Sequence, residues 1–406
     1  MSVSGRLVLR ILRCLTAGAF FGLLGAIAGA ESSPDKADLF IAGTGGYAAY
    51  RIPALVTTPQ GPVLAAAEAR KNGGGDWGRI DIVCRRSLDG GRTWEPAQAL
   101  VAQTDLPADV SVNPAEARGR GPAAGFTIGN PTWITESRSG RTFLLFCVEY
   151  MRCFVVESTD GGAIFSKPRE ITPAFADFRQ RDRYPWKVIA TGPGHGAQLA
   201  SGRLVVPVWL STSETNGHHP SACGTIYSDD GGVTWQAGAI AAGRDDGVPD
   251  PSETAIAEVA PGRVLLSIRQ ESPRHRRVLA WGADGATGWS RPEFSETLWE
   301  PVCMASLIRL PGGALIFSNP ASLEANPSRP GAVGRQRRNL GLRTSHDQGK
   351  TWSEPFILTP GPSAYSDLAV TSDGTLLCFY ENGGQSAYEK LSVARVSIDR
   401  LPGANP

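Results

Sequence analysis

Apolar residues along this chain fall in short runs rather than in helical stripes. The runs are "GPVLAAAEAR" (61–70), "TFLLFCVEYM" (142–151), "GRLVVPVWL" (202–210), "GRVLLSIRQ" (262–270), "GALIFSNPA" (313–321) and "GTLLCFYENG" (374–383). Each is opened or preceded by a glycine turn signal, and runs of this length and composition read as strands. Beyond the first thirty residues, no segment carries a 3.6-residue apolar stripe of helical length.

One turn recurs between the runs. It reads "SLDGGRTW" at 87–94, "STDGGAIF" at 158–165, "SDDGGVTW" at 228–235 and "SHDQGKTW" at 345–352, with a degraded copy, "GADGATGW", at 282–289. A strand-like run precedes each copy, and in most a tryptophan closes it. Asp and Ser side chains bond nearby backbone N–H groups, glycines accept positive φ, and the tryptophan anchors the hairpin on apolar surface. Short strands with a repeated hairpin turn predict radial repetition: an all-β, six-bladed β-propeller of four-stranded blades spanning residues 31–406 as one domain. Asp89, Asp160, Asp230 and Asp347, spread around such a ring, cannot all face one pocket, so the turns are expected to be scaffold.

The first thirty residues differ. Arg6, Arg10 and Arg13 precede the apolar "CLTAGAFFGLLGAIAGA", which ends in small residues before "ESSPDK". That pattern predicts a secretory signal peptide over residues 1–30, cleaved near Ala30 and leading to a secreted or periplasmic protein. A retained membrane anchor is the alternative, although the run is short for a full span. Net charge is +1 with no basic block, so neither nucleic acid nor a charged membrane surface is an expected partner. The seven cysteines contain no C-x-x-C pair, which argues against a zinc site and leaves disulfide pairing open. No metal or other cofactor is expected.

Candidate chemistry lies between the repeats. "YRIPALV" (50–56) places Arg51 at a strand start, where a guanidinium suits bidentate grip of a carboxylate. "AEARKNGGGDWG" (67–78) sets Asp76 after three glycines and before Trp77, an environment expected to raise its pKa and suit a general acid. "DPSETAIAEVAPGRVLLSIRQ" (250–270) carries Glu253 and Arg269, which a strand, turn and returning strand can bring together. "GRQRRNLGLRTS" (334–345) offers Arg335, Arg337, Arg338 and Arg343. "GPSAYSDLAV" (361–370) and "CFYENG" (378–383) add Tyr365 and Glu381.

In that order these motifs resemble the exo-α-sialidase (neuraminidase) family of bacteria and animals, whose Asp boxes are the repeated turns. The likeness runs from about residue 40 to about residue 395. It implies retaining hydrolysis of terminal α-linked sialic acid from glycans, glycoproteins or glycolipids by a monomer. Arg51, Arg269 and Arg337 would grip the sugar carboxylate, with Arg338 as the alternative third member. Asp76 would be the acid/base, Tyr365 the nucleophile and Glu253 its proton acceptor. Glu381 would orient Arg51, and Arg70 would line the pocket. Sialidases are the known tyrosine-nucleophile exception to two-carboxylate glycoside hydrolysis, so that role comes from the resemblance and not from spacing. The arginines are expected to favour ionised Tyr365. Asn130 and His195 match positions near the pocket rim, Met304 stands where a polar residue touching the sugar is expected, and 323–334 reads as a loop at the mouth. A carbohydrate-binding propeller without catalysis, or a hydrolase or transferase acting on another nonulosonic acid, are the alternative readings.

Overall fold

Strands buried on both faces need continuous apolar sequence, and that requirement explains the runs. The computed structural model describes residues 35–114 and 125–403; the leader expected at 1–30 lies outside the described residues. Strands dominate, and the single α-helix among the described residues is the short Ala176–Gln180. No helix among them is long and apolar enough to cross a membrane. The strands form five hydrogen-bonded sheets of seven, five, five, four and four strands, antiparallel apart from one short parallel pairing. In the seven-stranded sheet, the long strand Phe356–Val370 serves two neighbours. Its first part pairs with Arg338–Ser345 and its second with Leu376–Asn382. The arrangement is all-β and propeller-like.

The strand Val63–Arg70 shows why both faces are apolar. Val63, Ala65 and Ala67 pack with Leu377, Phe379 and Val393 of the last sheet. Leu64 and Ala66, which point the other way, pack with Leu144, Phe146 and Phe154 of the next. Each sheet is therefore sandwiched, and the first contacts the last. The ends of the described chain close the ring by hydrogen bonding as well, because Asp35–Ile41 forms the outer strand beside Lys390–Val396.

The four fuller copies of the turn start at the ends of the strands Ile80–Ser87, Arg152–Ser158, His219–Ser228 and Arg338–Ser345. In the first copy Asp89 Oδ1 accepts hydrogen bonds from Ser87 Oγ at 2.9 Å and from the N–H groups of Arg92 and Thr93 at 3.0 and 2.8 Å; its Oδ2 accepts from Thr93 Oγ1 at 2.6 Å. Asp230 and Asp347 repeat this set. Asp160 keeps the Ser158 and backbone bonds but has no threonine hydroxyl, since Ile164 stands there. Asp284 of the degraded copy still binds the N–H groups of Ala286 and Thr287 at 2.9 and 2.8 Å.

A glycine in each turn seats it on a neighbouring sheet. A Cβ at Gly232 would lie 2.5 Å from the Phe143 ring, and one at Gly162 would lie 2.5 Å from Leu64. In both cases the contact is with the preceding sheet. The first turn instead meets Leu377 of the last sheet through Gly91, so the turns follow one another around a closed circuit. Gly232 also has φ +90°. Gly232→Ala combines a strained backbone with overpacking, each costing roughly 1–2 kcal/mol. Urea denaturation should show a loss of at least about 2 kcal/mol, against under about 0.5 kcal/mol for the exposed Val233→Ala.

Candidate active site

The strand Ala49–Thr57 is interrupted where Arg51 sits. Its pairing register shifts between Arg51 and Ala54, Pro53 has no N–H to give, and Ile52 takes φ +59°. A β-branched residue in that region is rare, as is any residue before proline. The fully buried Glu381 offsets the disruption. Its Oε1 accepts from Arg51 Nε at 2.8 Å and from the Ile52 N–H at 3.1 Å; its Oε2 accepts from Arg51 Nη2 at 3.2 Å and from the Tyr365 N–H at 3.2 Å. Burial opposes charge on Arg51, but the Glu381 carboxylate outweighs it and holds the guanidinium pKa above its ordinary value.

The same device recurs one sheet on. The strand Ile128–Glu136 breaks register after Gly129, and Asn130, before Pro131, takes φ +58°. Buried Glu68 accepts the Asn130 N–H at 2.8 Å and holds Arg70 through Nε at 3.0 Å and Nη2 at 2.7 Å. Arg70 in turn reaches the glycine loop, with Nη1 at 2.5 Å from Gly74 O and 2.9 Å from Asp76 Oδ1. The Asp76 side chain is 48% exposed.

A hairpin sets Glu253 opposite Arg269, one residue beyond the paired strands Thr254–Ala260 and Arg263–Ile268. Glu253 Oε1 accepts the Tyr365 hydroxyl proton at 2.5 Å, Arg269 Nη1 donates to Tyr365 Oη at 2.7 Å, and the same nitrogen bonds Glu253 Oε2. Tyr365 projects from an irregular stretch of Phe356–Val370, where register shifts between Ser363 and Ser366. The Arg51 and Arg337 guanidinium carbons lie 5.2 and 5.1 Å from its ring centre. Arg337 is held by Val302 O at 2.7 Å and Tyr388 Oη at 3.1 Å. Arg338 turns toward Glu324 at 3.3 Å. Three guanidinium groups thus surround Tyr365, two near its ring and one at its hydroxyl, while Asp76 stands on the loop held by Arg70.

Two electrostatic expectations are corrected. Asp76 does not have a raised pKa: burial pushes it up, but Arg70 and Arg51 outweigh burial and hold it below the ordinary value. Nor do the arginines ionise Tyr365. Burial raises its pKa well above 10 with Glu253 adding to the rise, against the lowering by Arg269, Arg337 and Arg51. The phenol is therefore a protonated donor already aimed at a base.

Beside Asp76 an aromatic wall forms. The Trp77 ring lies 4.7 Å from Tyr150 and stacks at 6.0 Å on His218, and Trp209 meets His218 edge-on at 5.4 Å. Trp209 Nε1 and Asn130 Oδ1 are buried with no hydrogen-bond partner among the described residues, and such groups suit a polar ligand. Sequence reading missed Glu68, Tyr388, Tyr150 and His218. Glu68 had a signal: an acidic residue inside the apolar run "VLAAAEAR", two positions before Arg70 and so on the same strand face. His195 is not at the rim. Its Nδ1 pairs at 2.7 Å with Oδ1 of buried Asp367, on the strand that carries Tyr365, and its Nε2 approaches Leu307 O, on the strand Ser306–Arg309, at 3.2 Å. Met304, 2% exposed, packs with Ile52, Cys303 and Tyr365; it supports the tyrosine from within and does not offer itself to a sugar.

The model of the BNR repeat-like domain family matches residues 115–378. A sialidase of Micromonospora viridifaciens is 30% identical over 405 residues, covering 91% of this chain and 56% of the relative; the chain thus spans little more than half of that protein. Sialidase-3 of Mus musculus is 29% identical, with 84% of this chain and 89% of the relative covered. Among solved structures, the Hadza microbial sialidase Hz136 superposes with a TM-score of 0.72 at 26% identity, over 90% of this chain and 69% of that one. With its repeated Asp-box turns and this matched span, the chain belongs to the sialidase family built on BNR repeats.

Proposed function

We propose that the protein is an exo-α-sialidase that releases terminal sialic acid with retention of configuration, through a sialyl-tyrosine intermediate at Tyr365. The observation that carries this reading is the Tyr365–Glu253 hydrogen bond of 2.5 Å within reach of Arg51, Arg269 and Arg337. A sialoside bears a carboxylate on its anomeric carbon, so an anionic nucleophile is repelled whereas a neutral phenol is not. Three arginines suit that carboxylate. As Tyr365 Oη attacks, its proton passes to Glu253, and Asp76 protonates the departing glycosidic oxygen. Asp76 then takes a proton from the water that opens the intermediate, and two inversions give retention.

Arg337, which faces the Tyr365 ring, is the third carboxylate ligand in this reading; Arg338 supports the 323–334 loop through Glu324. Six blades follow if Phe356–Val370 is divided between two four-stranded units. The leader over 1–30 would direct this monomer out of the cytoplasm to glycoprotein and glycolipid glycans. Asp76, held ionised in the free protein by Arg70 and Arg51, becomes an acid once the substrate carboxylate engages Arg51 and the sugar displaces water. Both changes raise its pKa.

Three outcomes test this. Tyr365→Phe should lower kcat on a fluorogenic sialoside by at least about a thousandfold, while Asp76→Ala should lower kcat by about 10²–10⁴ on alkyl sialosides but spare aryl ones with good leaving groups; unchanged turnover by Tyr365→Phe would sink the mechanism. Arg337→Ala should lower kcat/KM about a hundredfold and Arg338→Ala less than about threefold, and the reverse order would reassign the third arginine. In pH profiles, the alkaline limb of kcat should lie at higher pH than that of kcat/KM, because the limb requires protonated Asp76 and binding raises its pKa. Coincident limbs would refute that coupling.

A further inference from the structure

The described residues hold six cysteines, at 84, 147, 153, 223, 303 and 378, all buried as free thiols. Among them, only Cys147 faces another cysteine across a strand ladder, as the register partner of Cys153. The pair stands at the base of a hairpin. The strands Arg141–Val148 and Arg152–Ser158 are joined there by Glu149, Tyr150 and Met151.

Backbone bonding identifies the type of pair. The Cys153 N–H donates to Thr172 Oγ1 at 2.9 Å, and its carbonyl accepts from the Ile171 N–H at 2.8 Å. Both main-chain groups therefore point away from Cys147. In such a non-hydrogen-bonded antiparallel pair the Cα atoms lie about 4.5 Å apart and the side chains are at their closest. That separation falls inside the range of about 4.4–6.8 Å that disulfides span. Both thiols belong to one apolar cluster with Tyr150, Ile189 and Trp209.

We propose that Cys147 and Cys153 form a disulfide that staples this hairpin. Oxidation proceeds by exchange: two thiols form one S–S bond, and their two hydrogens and two electrons reduce a partner disulfide, such as oxidised glutathione, to two thiols. Burial pushes the Cys153 thiol well above its ordinary pKa, so little thiolate exists in the folded protein. The bond therefore forms while the sheets are assembling and resists reductant afterwards. Above it, Glu149 and Tyr150 both take positive φ, at +54° and +50°, a costly pairing of non-glycine residues. Glu149 accepts the N–H groups of Asn113 and Thr127 at 3.0 and 2.7 Å, and Tyr150 supports the wall beside Asp76. The staple holds the base of a strained tip that builds one side of the site. It stands independently of the proposed activity.

The full chain should be refolded from denaturant in a glutathione redox buffer, then unfolded again without reductant and alkylated with iodoacetamide. Arg152 lies between the two cysteines, so trypsin separates them unless sulfur joins them. The expected product is peptide 142–152 linked to the peptide that begins at Cys153, with alkylation on Cys84, Cys223, Cys303 and Cys378. In urea, oxidised wild type should unfold at a higher midpoint than protein refolded with reductant, whereas the Cys147→Ala/Cys153→Ala double variant should show one midpoint under both conditions. Alkylation of both Cys147 and Cys153, or a bond joining either of them to a different cysteine, would overturn the proposal.

Discussion

A buried carboxylate with four donors around it governs this molecule. Glu381 has no access to water, and an uncompensated charge in such a place is prohibitively unfavourable. It is tolerated because Arg51 and the amides of Ile52 and Tyr365 surround it. Three of those donors come from the first sheet and one from the last, so one side chain joins elements more than 300 positions apart. Arg51 cannot leave its place without exposing Glu381 to an empty neighbourhood, and the Tyr365 backbone is fixed by the same atoms. The group that closes the fold also aims a guanidinium and a phenol at one point.

Glu68 performs the corresponding service for Arg70 and Asn130. In both places a left-handed residue precedes a proline, a strand loses its ladder bond, and a buried glutamate accepts the stranded amide. The strain is local and the compensation is ionic, which leaves each arginine rigid before any ligand arrives. Pre-placed charge of this kind favours a reaction because nothing has to reorganise as charge develops. Arg70 goes further than rigidity: it also bonds Gly74 and positions Asp76, a carboxylate of the site that remains half exposed.

Much of the architecture was legible because each strand is covered on both sides, so burial writes itself as unbroken apolar runs. The Asp boxes were legible because their bonds are nearly all local. Asp89 is satisfied within its own turn, and nothing distant is needed to understand it. The sites were harder. Arg51, Glu253 and Tyr365 stood out by type and order, but Glu68 looked like an anomaly in a strand until its partners were visible. Neither pKa shift could be read from the chain. Asp76 and Tyr365 are set by surroundings that only the folded ring creates: neighbouring arginines reverse the expected direction at Asp76, whereas burial, with Glu253, outweighs the arginines at Tyr365. Arg337 and Arg338 separate because adjacent residues on extended backbone point to opposite sides, and sequence alone does not say which side is inward. Met304 shows the converse error, since an apolar residue suspected of facing the sugar proved to be packing beneath Tyr365.

The pairing of Asp35–Ile41 with Lys390–Val396 has a consequence for how the protein is made. During synthesis, the first of these strands emerges with its partner still more than 340 residues from being translated. Until Lys390–Val396 leaves the ribosome, the last sheet lacks the two strands of one edge, Leu377 has no complete sheet behind it, and the first Asp box has no finished surface to sit on. Glu381 likewise arrives late for Arg51. Complete tertiary structure of these sheets must therefore wait until residue 396 has emerged, and a ribosome stalled before residue 390 would display an open ring with two unsatisfied apolar faces.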